Sequence, residues 1–371
     1  MTPEIDEKTA RLVRWMEERS LGGVGGALLS TRPNFAWITG GRESGIDLSR
    51  EAGVAAVLVA ADGRRFLLAN NIEMRRFQEE DLAGQGYAPV ELPWTEEMAD
   101  PGRIAALARE VLGGAPLASD VSDAGKEIAR LRHRLTSAEI ERFRALGRDA
   151  GEALGEVCRG LRPGMTERQI GRRASAALAE RGADAIVLLV AAGDRLARFR
   201  HPPPTGQRWE KDGVMVVACA RREGLIAALT RIVWAGPVPE EIRRRTRAAA
   251  EVNARLLAVT RPGASGRELF EVAARAYADL GFPGEERLHH QGGPCGYLSR
   301  DWIAHPGCEE TVTAPQAFAW NPSITGTKVE ETWIVSDTAE AITSTPGWPT
   351  VEIEIAGRFC PFPDVAVLGS F

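Results

Sequence analysis

The chain has 371 residues, 44% apolar and 26% charged, which fits a globular protein with too many residues for one ordinary core. A net charge of −5 supplies no basic face for nucleic acid or for a membrane surface. The first residues lack the apolar centre of a signal peptide, and no later run reaches the roughly 18 residues of a spanning helix, so a cytoplasmic protein with a small-molecule substrate is expected.

Taken in chain order, residues 8–18 carry apolar side chains at helical spacing, and GGALLSTRPNFAWITGG then reads as strand, turn and strand. Val54–Asn71 has a hairpin pattern with Asp62 and Gly63 at its turn. These elements predict a small α/β domain over residues 1–132. Thr136 with Glu139 three residues on is a capping box that opens a long helix, and Ile140, Phe143, Ala150, Leu154 and Val157 line its apolar face. A second domain, 133–371, holds an internal repeat. Leu161–Ala183 and Thr260–Phe282 share Arg-Pro-Gly, a capping hydroxyl with Gln or Glu three residues later, and an amphipathic helix. A duplicated α-β unit of this kind predicts a pseudo-twofold domain with helices outside a curved antiparallel sheet. Cys158, Cys219, Cys295, Cys308 and Cys360 are widely spaced, odd in number and without C-x-x-C, which suggests neither disulfides nor a zinc knuckle.

The remaining motifs lie in the second domain. Gly213–Gly236 reads GVMVVACARREGLIAALTRIVWAG, two apolar strands about Gly224 with Thr230 and Arg231 on the second. His289–Trp302 reads HHQGGPCGYLSRDW, Ala317–Ile324 reads AFAWNPSI, and Gly326, Lys328, Glu330, Glu331 and Thr332 follow. In this order the segments resemble the aminopeptidase P, prolidase and creatinase family. There the hairpin carries D-x-G, a Gly turn and a second Asp before T-R. A stretch H-x-x-G-H-G, a Glu-Pro strand and G-x-R-x-E-[DN]-T come after it. The resemblance implies an α/β (α+β) chain: a creatinase-like N-terminal domain, matched here by Asn34, Trp37, Thr39 and Gly40, followed by a pita-bread domain. It also implies a homodimer.

The resemblance puts the five ligands of a dinuclear metal site at Val217, Ala228, Gly293, Asn321 and Glu330. Hard divalent cations need oxygen ligands, and only Glu330 of the five is a carboxylate, so no metal and no other cofactor is expected. His201, in the proline-stiffened loop FRHPPPTG, falls where the family handles protons outside the metal shell. Neighbours on a strand point to opposite faces, so one of His289 and His290 is expected in the cavity, and the motif favours His289. Glu330 is expected to do acid or base work, burial raising its pKa and Lys328 lowering it. Gln291, Tyr297, Asn321, Lys328 and Cys219 are expected substrate contacts, with Arg300 and Asp301 as a charge-paired recognition element at the family's H-E positions. Three readings follow. The first is a metal-independent enzyme cleaving a C-N bond of a small amino-acid-like molecule, on the precedent of the creatinase branch. The second is a non-catalytic binder of a small molecule or peptide end, and the third a metallopeptidase of the Xaa-Pro type with substitute ligands among His289, His290, Cys219 and Glu330.

Overall fold

The computed structural model describes residues 2–19, 23–47, 49–355 and 357–369, and the chain divides into two compact units, residues 1–133 and 134–371. The first unit is built on a five-stranded sheet in the order Ala88–Leu92, Arg65–Asn70, Ala52–Ala60, Gly26–Thr31, Leu117–Ser119. The hairpin turn expected at Asp62 and Gly63 is present, Gly63 taking φ +85° where a side chain would be strained. The helix at the N-terminus spans Pro3–Glu18 and buries Ile5, Leu12 and Met16. One expectation is overturned: Arg32–Ile38, read as turn and strand, is a helix. Pro33 presets the φ of its first turn, and Phe35, Trp37 and Ile38 are buried at helical spacing that short alternation imitates.

The second unit opens with the helix Ser137–Arg159, capped by Thr136 and Glu139 in a reciprocal box. Gly147, Gly151 and Gly155 form a stripe on it. A Cβ at these positions would come within 2.4, 2.5 and 2.4 Å of Ile342 O, Ser344 O and Thr345 Cγ2, so only glycine lets residues 342–345 lie against the helix. The repeat is visible in the hydrogen bonds. Helices Glu167–Ala179 and Gly266–Asp279 each start with a full capping box, Thr166 with Gln169 and Ser265 with Glu268. Ahead of each, the Arg-Pro-Gly turn is clipped to a later strand-like segment by the same pair of bonds. Gly164 N donates to Trp209 O and Trp209 N to Met165 O; Gly263 N donates to Val312 O and Val312 N to Ala264 O.

Two four-stranded sheets lie within these helices. One has the order Ala366–Val367, Leu225–Ala235, Asp212–Arg222, Asp184–Ala192; the other Ala339–Ala341, Glu331–Val335, Gln316–Trp320, Gly292–Cys295. They are stitched by Thr230 N donating to Glu330 O at 3.2 Å and by the Thr332 hydroxyl, which donates to Ala228 O and accepts from Ala228 N. This is the pita-bread arrangement. Among the described residues no helix is long and apolar enough to cross a membrane.

Candidate active site

The hairpin Asp212–Arg222 and Leu225–Ala235 pairs Val217 with Thr230 and Cys219 with Ala228. Strand alternation therefore puts Val217, Cys219, Ala228 and Thr230 on one face. Thr230 reaches from that face to Glu330, its hydroxyl donating to Oε2 at 2.7 Å. Thr230 is the contact that sequence reasoning misses, although its parity with Val217 and Ala228 is a signal that could find it. Cys219 is a buried wall of the site, and burial pushes its thiol up to about 11, so it is protonated near pH 7.

Glu330 is buried and clasped on both oxygens. Arg300 Nη2 donates to Oε1 at 3.0 Å, and Lys328 Nζ lies 2.9 Å from Oε2. Burial alone would raise the pKa of this carboxyl. The charges of Lys328 and Arg300, with the Thr230 hydrogen bond, outweigh it and hold the group down at about 2. The opposing influences expected from the sequence are thus decided by a second cation, since Arg300 pairs with Glu330. Glu330 is a fixed anion, and among the described residues no hydrogen bond joins it to His201. Its next neighbour, Glu331, belongs to a separate pair with Arg231 at 2.7 Å.

Three histidines converge beside this clasp, one ring nitrogen from each lying within 4.8 Å of the others. The expectation that only one of His289 and His290 would enter fails for a local reason. The strand begins at Gly292, the two residues occupy the bend before it, and their rings sit 4.4 Å apart on the same side. His289 Nδ1 faces the His290 carbonyl, so that nitrogen carries the proton and Nε2 the lone pair. His201 Nε2 lies 3.0 Å from His289 Nε2 and must donate to it, which leaves the lone pair of neutral His201 on Nδ1, without a hydrogen-bond partner among the described residues. His290 Nδ1 accepts from Gly292 N at 3.2 Å, which puts its proton on Nε2. Burial lowers all three, followed by the nearby cations. His289 falls to about 3 with Lys328 as the next cause, His290 to about 4 with Arg300 as the next, and His201 is also lowered. His201 is exposed and the other two lie deeper.

Two residues read as substrate contacts are spent on the scaffold. Gln291 Oε1 accepts from Tyr277 at 2.8 Å while Nε2 donates to His289 O at 2.6 Å, which locks the histidine bend. The Tyr297 hydroxyl donates to Glu139 at 2.7 Å, tying its loop to the first turn of the long helix. Asp301 donates its backbone N–H to Pro294 O. Asn321 is 2% exposed, and its Oδ1 is buried without a hydrogen-bond partner among the described residues.

The positions matched to metal ligands do not fit a dinuclear centre. Val217 and Ala228 offer no donor, and Glu330 is already committed to two cations and a hydroxyl. At Gly293 the backbone excludes any side chain, because a Cβ would lie 2.2 Å from Trp302 O. A histidine there would require the adjoining chain to move.

The two stitched sheets and their outer helices define a pita-bread protein. The family model for metallopeptidase family M24 matches residues 141–354, more than half of the chain, and the chain belongs to that family. Among solved structures it is similar to an Xaa-Pro dipeptidase from Bacillus anthracis, with 17% identity, 98% of this chain and 100% of that one covered, and a TM-score of 0.72. It is also similar to a prolidase from Pyrococcus horikoshii, with 18% identity, 91% and 98% covered, and a TM-score of 0.74. An X-Pro aminopeptidase from Thermotoga maritima gives 17% identity, 95% and 98% covered, and 0.69. No curated protein matches by sequence.

Proposed function

We propose that this M24 member is a hydrolase that cleaves a C-N bond of a small amino-acid-like substrate without the dinuclear metal centre of metallopeptidases. The observation that carries the reading is the double clasp on Glu330, in which Lys328 and Arg300 take both oxygens of the one carboxylate left among the five ligand positions.

The chemistry then rests on the histidines. His201 Nδ1 takes a proton from water as the water oxygen adds to the substrate carbon. It returns the proton to the leaving nitrogen as the C-N bond breaks, so the net change is one C-O bond made and one C-N bond lost. His289 fixes the ring of His201 through the hydrogen bond between their Nε2 atoms. His290, neutral because its pKa is depressed to about 4, offers Nε2–H to the substrate oxygen as charge develops there. Glu330 does not carry the proton; it orients Arg300 and Lys328.

Elemental analysis of protein purified without added metal, with a turnover screen of creatine-like, N-acyl and proline-containing amino acids in chelator, tests this. Substoichiometric metal with turnover that survives chelation supports it. Turnover abolished by chelator rejects it. Binding without turnover of any compound favours a non-catalytic binder. The convergence of three imidazoles favours one second reading, a single divalent cation held by His201, His289 and His290. It requires His290 to shift its proton to Nδ1 and the ion to sit beside Lys328 and Arg300, and one tightly held metal per chain would establish it.

A further inference from the structure

We infer that the site has reversed polarity relative to a metal centre: it takes an anion, the carboxylate of its substrate, and Lys328 is the group that meets it. This rests on the reading of the histidine and Glu330 cluster as a substrate site and goes beyond it in naming what the substrate must carry.

The first argument is charge balance. Two side-chain cations, Arg300 and Lys328, only 10% and 5% exposed, share one carboxylate, Glu330, which is 2% exposed. The other acid on this strand, Glu331, is matched one to one by Arg231. The three histidines beside the clasp are neutral near pH 7 and add no charge. The clasp itself thus carries two cations on one carboxylate, an excess of one positive charge at a buried carboxylate, where an uncompensated ion is costly. A bound monoanion would cancel it.

Hydrogen-bond accounting gives the second argument. An ammonium has three N–H groups, and among the described residues Lys328 meets one acceptor, Glu330 Oε2. Arg300 spends Nη2 on Glu330 and Nη1 on Ser299 O, and its buried Nε has no acceptor there. Donors in excess of acceptors mark a place for oxygens. Asn321 Oδ1 is the complementary orphan, an acceptor next to the histidine bend: a Cβ on Gly292 would fall 3.1 Å from it. A substrate with a carboxylate and an N–H group would satisfy both kinds. The surplus of a single charge favours a monocarboxylate over a phosphate dianion.

The experiment is calorimetric titration of the full chain with matched pairs that differ only in charge: L-proline against L-prolinamide, and N-acetylglycine against N-acetylglycinamide, with inorganic phosphate as a third arm. Hydrogen bonds to charged groups predict that each carboxylate binds about tenfold or more tightly than its amide, with the preference weakening as salt is raised. In Lys328→Gln the preference should collapse. The wild-type comparison needs no variant, so it stands even where a buried substitution impairs folding; Lys328→Arg, which keeps the charge, should retain the preference. Equal affinity for acid and amide, tighter binding of phosphate than of either carboxylate, or a preference that survives Lys328→Gln would overturn the assignment. Carboxylate binding without turnover would leave this inference standing and remove the hydrolase, whereas turnover of amides with no preference for the acid would do the reverse.

Discussion

Two buried ionic networks in the second unit are built from the same residue types and differ in closure. Glu167 accepts from Ala192 N, Thr205 N, the Thr205 hydroxyl and Arg195, and Arg195 also donates from Nη1 to Val190 O and from Nη2 to Pro203 O. One anion meets one cation, and both oxygens of Glu167 are occupied. At Glu330 one anion meets two cations, and donors on Lys328 and Arg300 remain unspent among the described residues. The first network closes a loop onto the helix Glu167–Ala179 and has no need of a ligand. In the second the imbalance itself marks the site, because a buried charge left over after internal pairing has to be met from outside.

The comparison breaks most readily at Glu167. Glu167→Gln strands Arg195 in a buried position and should cost about 3–5 kcal/mol of stability, read from urea unfolding. A loss under about 1 kcal/mol would show that the closed network is not holding the fold. His201→Ala should lower turnover of an identified substrate by roughly 10² or more, about 2.7 kcal/mol in the barrier, with the urea midpoint almost unchanged because the residue is exposed. Turnover that survives this change would remove His201 as proton carrier.

The histidine cluster sharpens the comparison through pH. Burial first, then Lys328 for His289 and Arg300 with Lys328 for His290, hold the folded pKa values near 3 and 4 against 6.5 ordinarily, with Glu330 favouring protonation of His290. As pH falls below about 6.5 the unfolded chain takes up these protons before the folded chain does. Stability is therefore full above that pH and falls from about 6.5 down to about 4 for His290 and about 3 for His289, by at most about 1.4 kcal/mol per pH unit for each ring. Urea midpoints at a series of pH values measure the slope, and His289→Gln should reduce it. Ser265→Ala removes a helix cap far from the clasp and should cost about 1 kcal/mol while leaving turnover unchanged. The smallest effect is expected at Lys328→Met. It leaves Glu330 and Arg300 matched one to one, so stability should stay level or rise by up to about 1 kcal/mol. A large loss would mean that Lys328 is structural and the imbalance is only apparent.

The local chemistry of the chain is legible in the order of its residues. The capping boxes at Thr136, Thr166 and Ser265, the turn at Gly63 and the duplicated Arg-Pro-Gly segments follow from turn residues, caps and periodicity, whose causes lie within a few residues of their effects, and the pita-bread fold is implied by the family resemblance. Arg32–Ile38 reads wrongly as turn and strand because seven residues are too few to separate a buried helix from a short strand. At the site, the missing carboxylates at Val217 and Ala228 are visible as letters, and so is the presence of His201, His289, His290, Lys328 and Glu330. Their partners are not. That Arg300 joins Lys328 on Glu330, that both adjacent histidines face one way, and that Gln291 and Tyr297 are spent on the scaffold depend on contacts between residues 14 to 158 positions apart. Sequence specifies which groups can carry charge or a proton; the pairing that sets their state is a through-space property, decided only when the sheets and the loop of His201 come together.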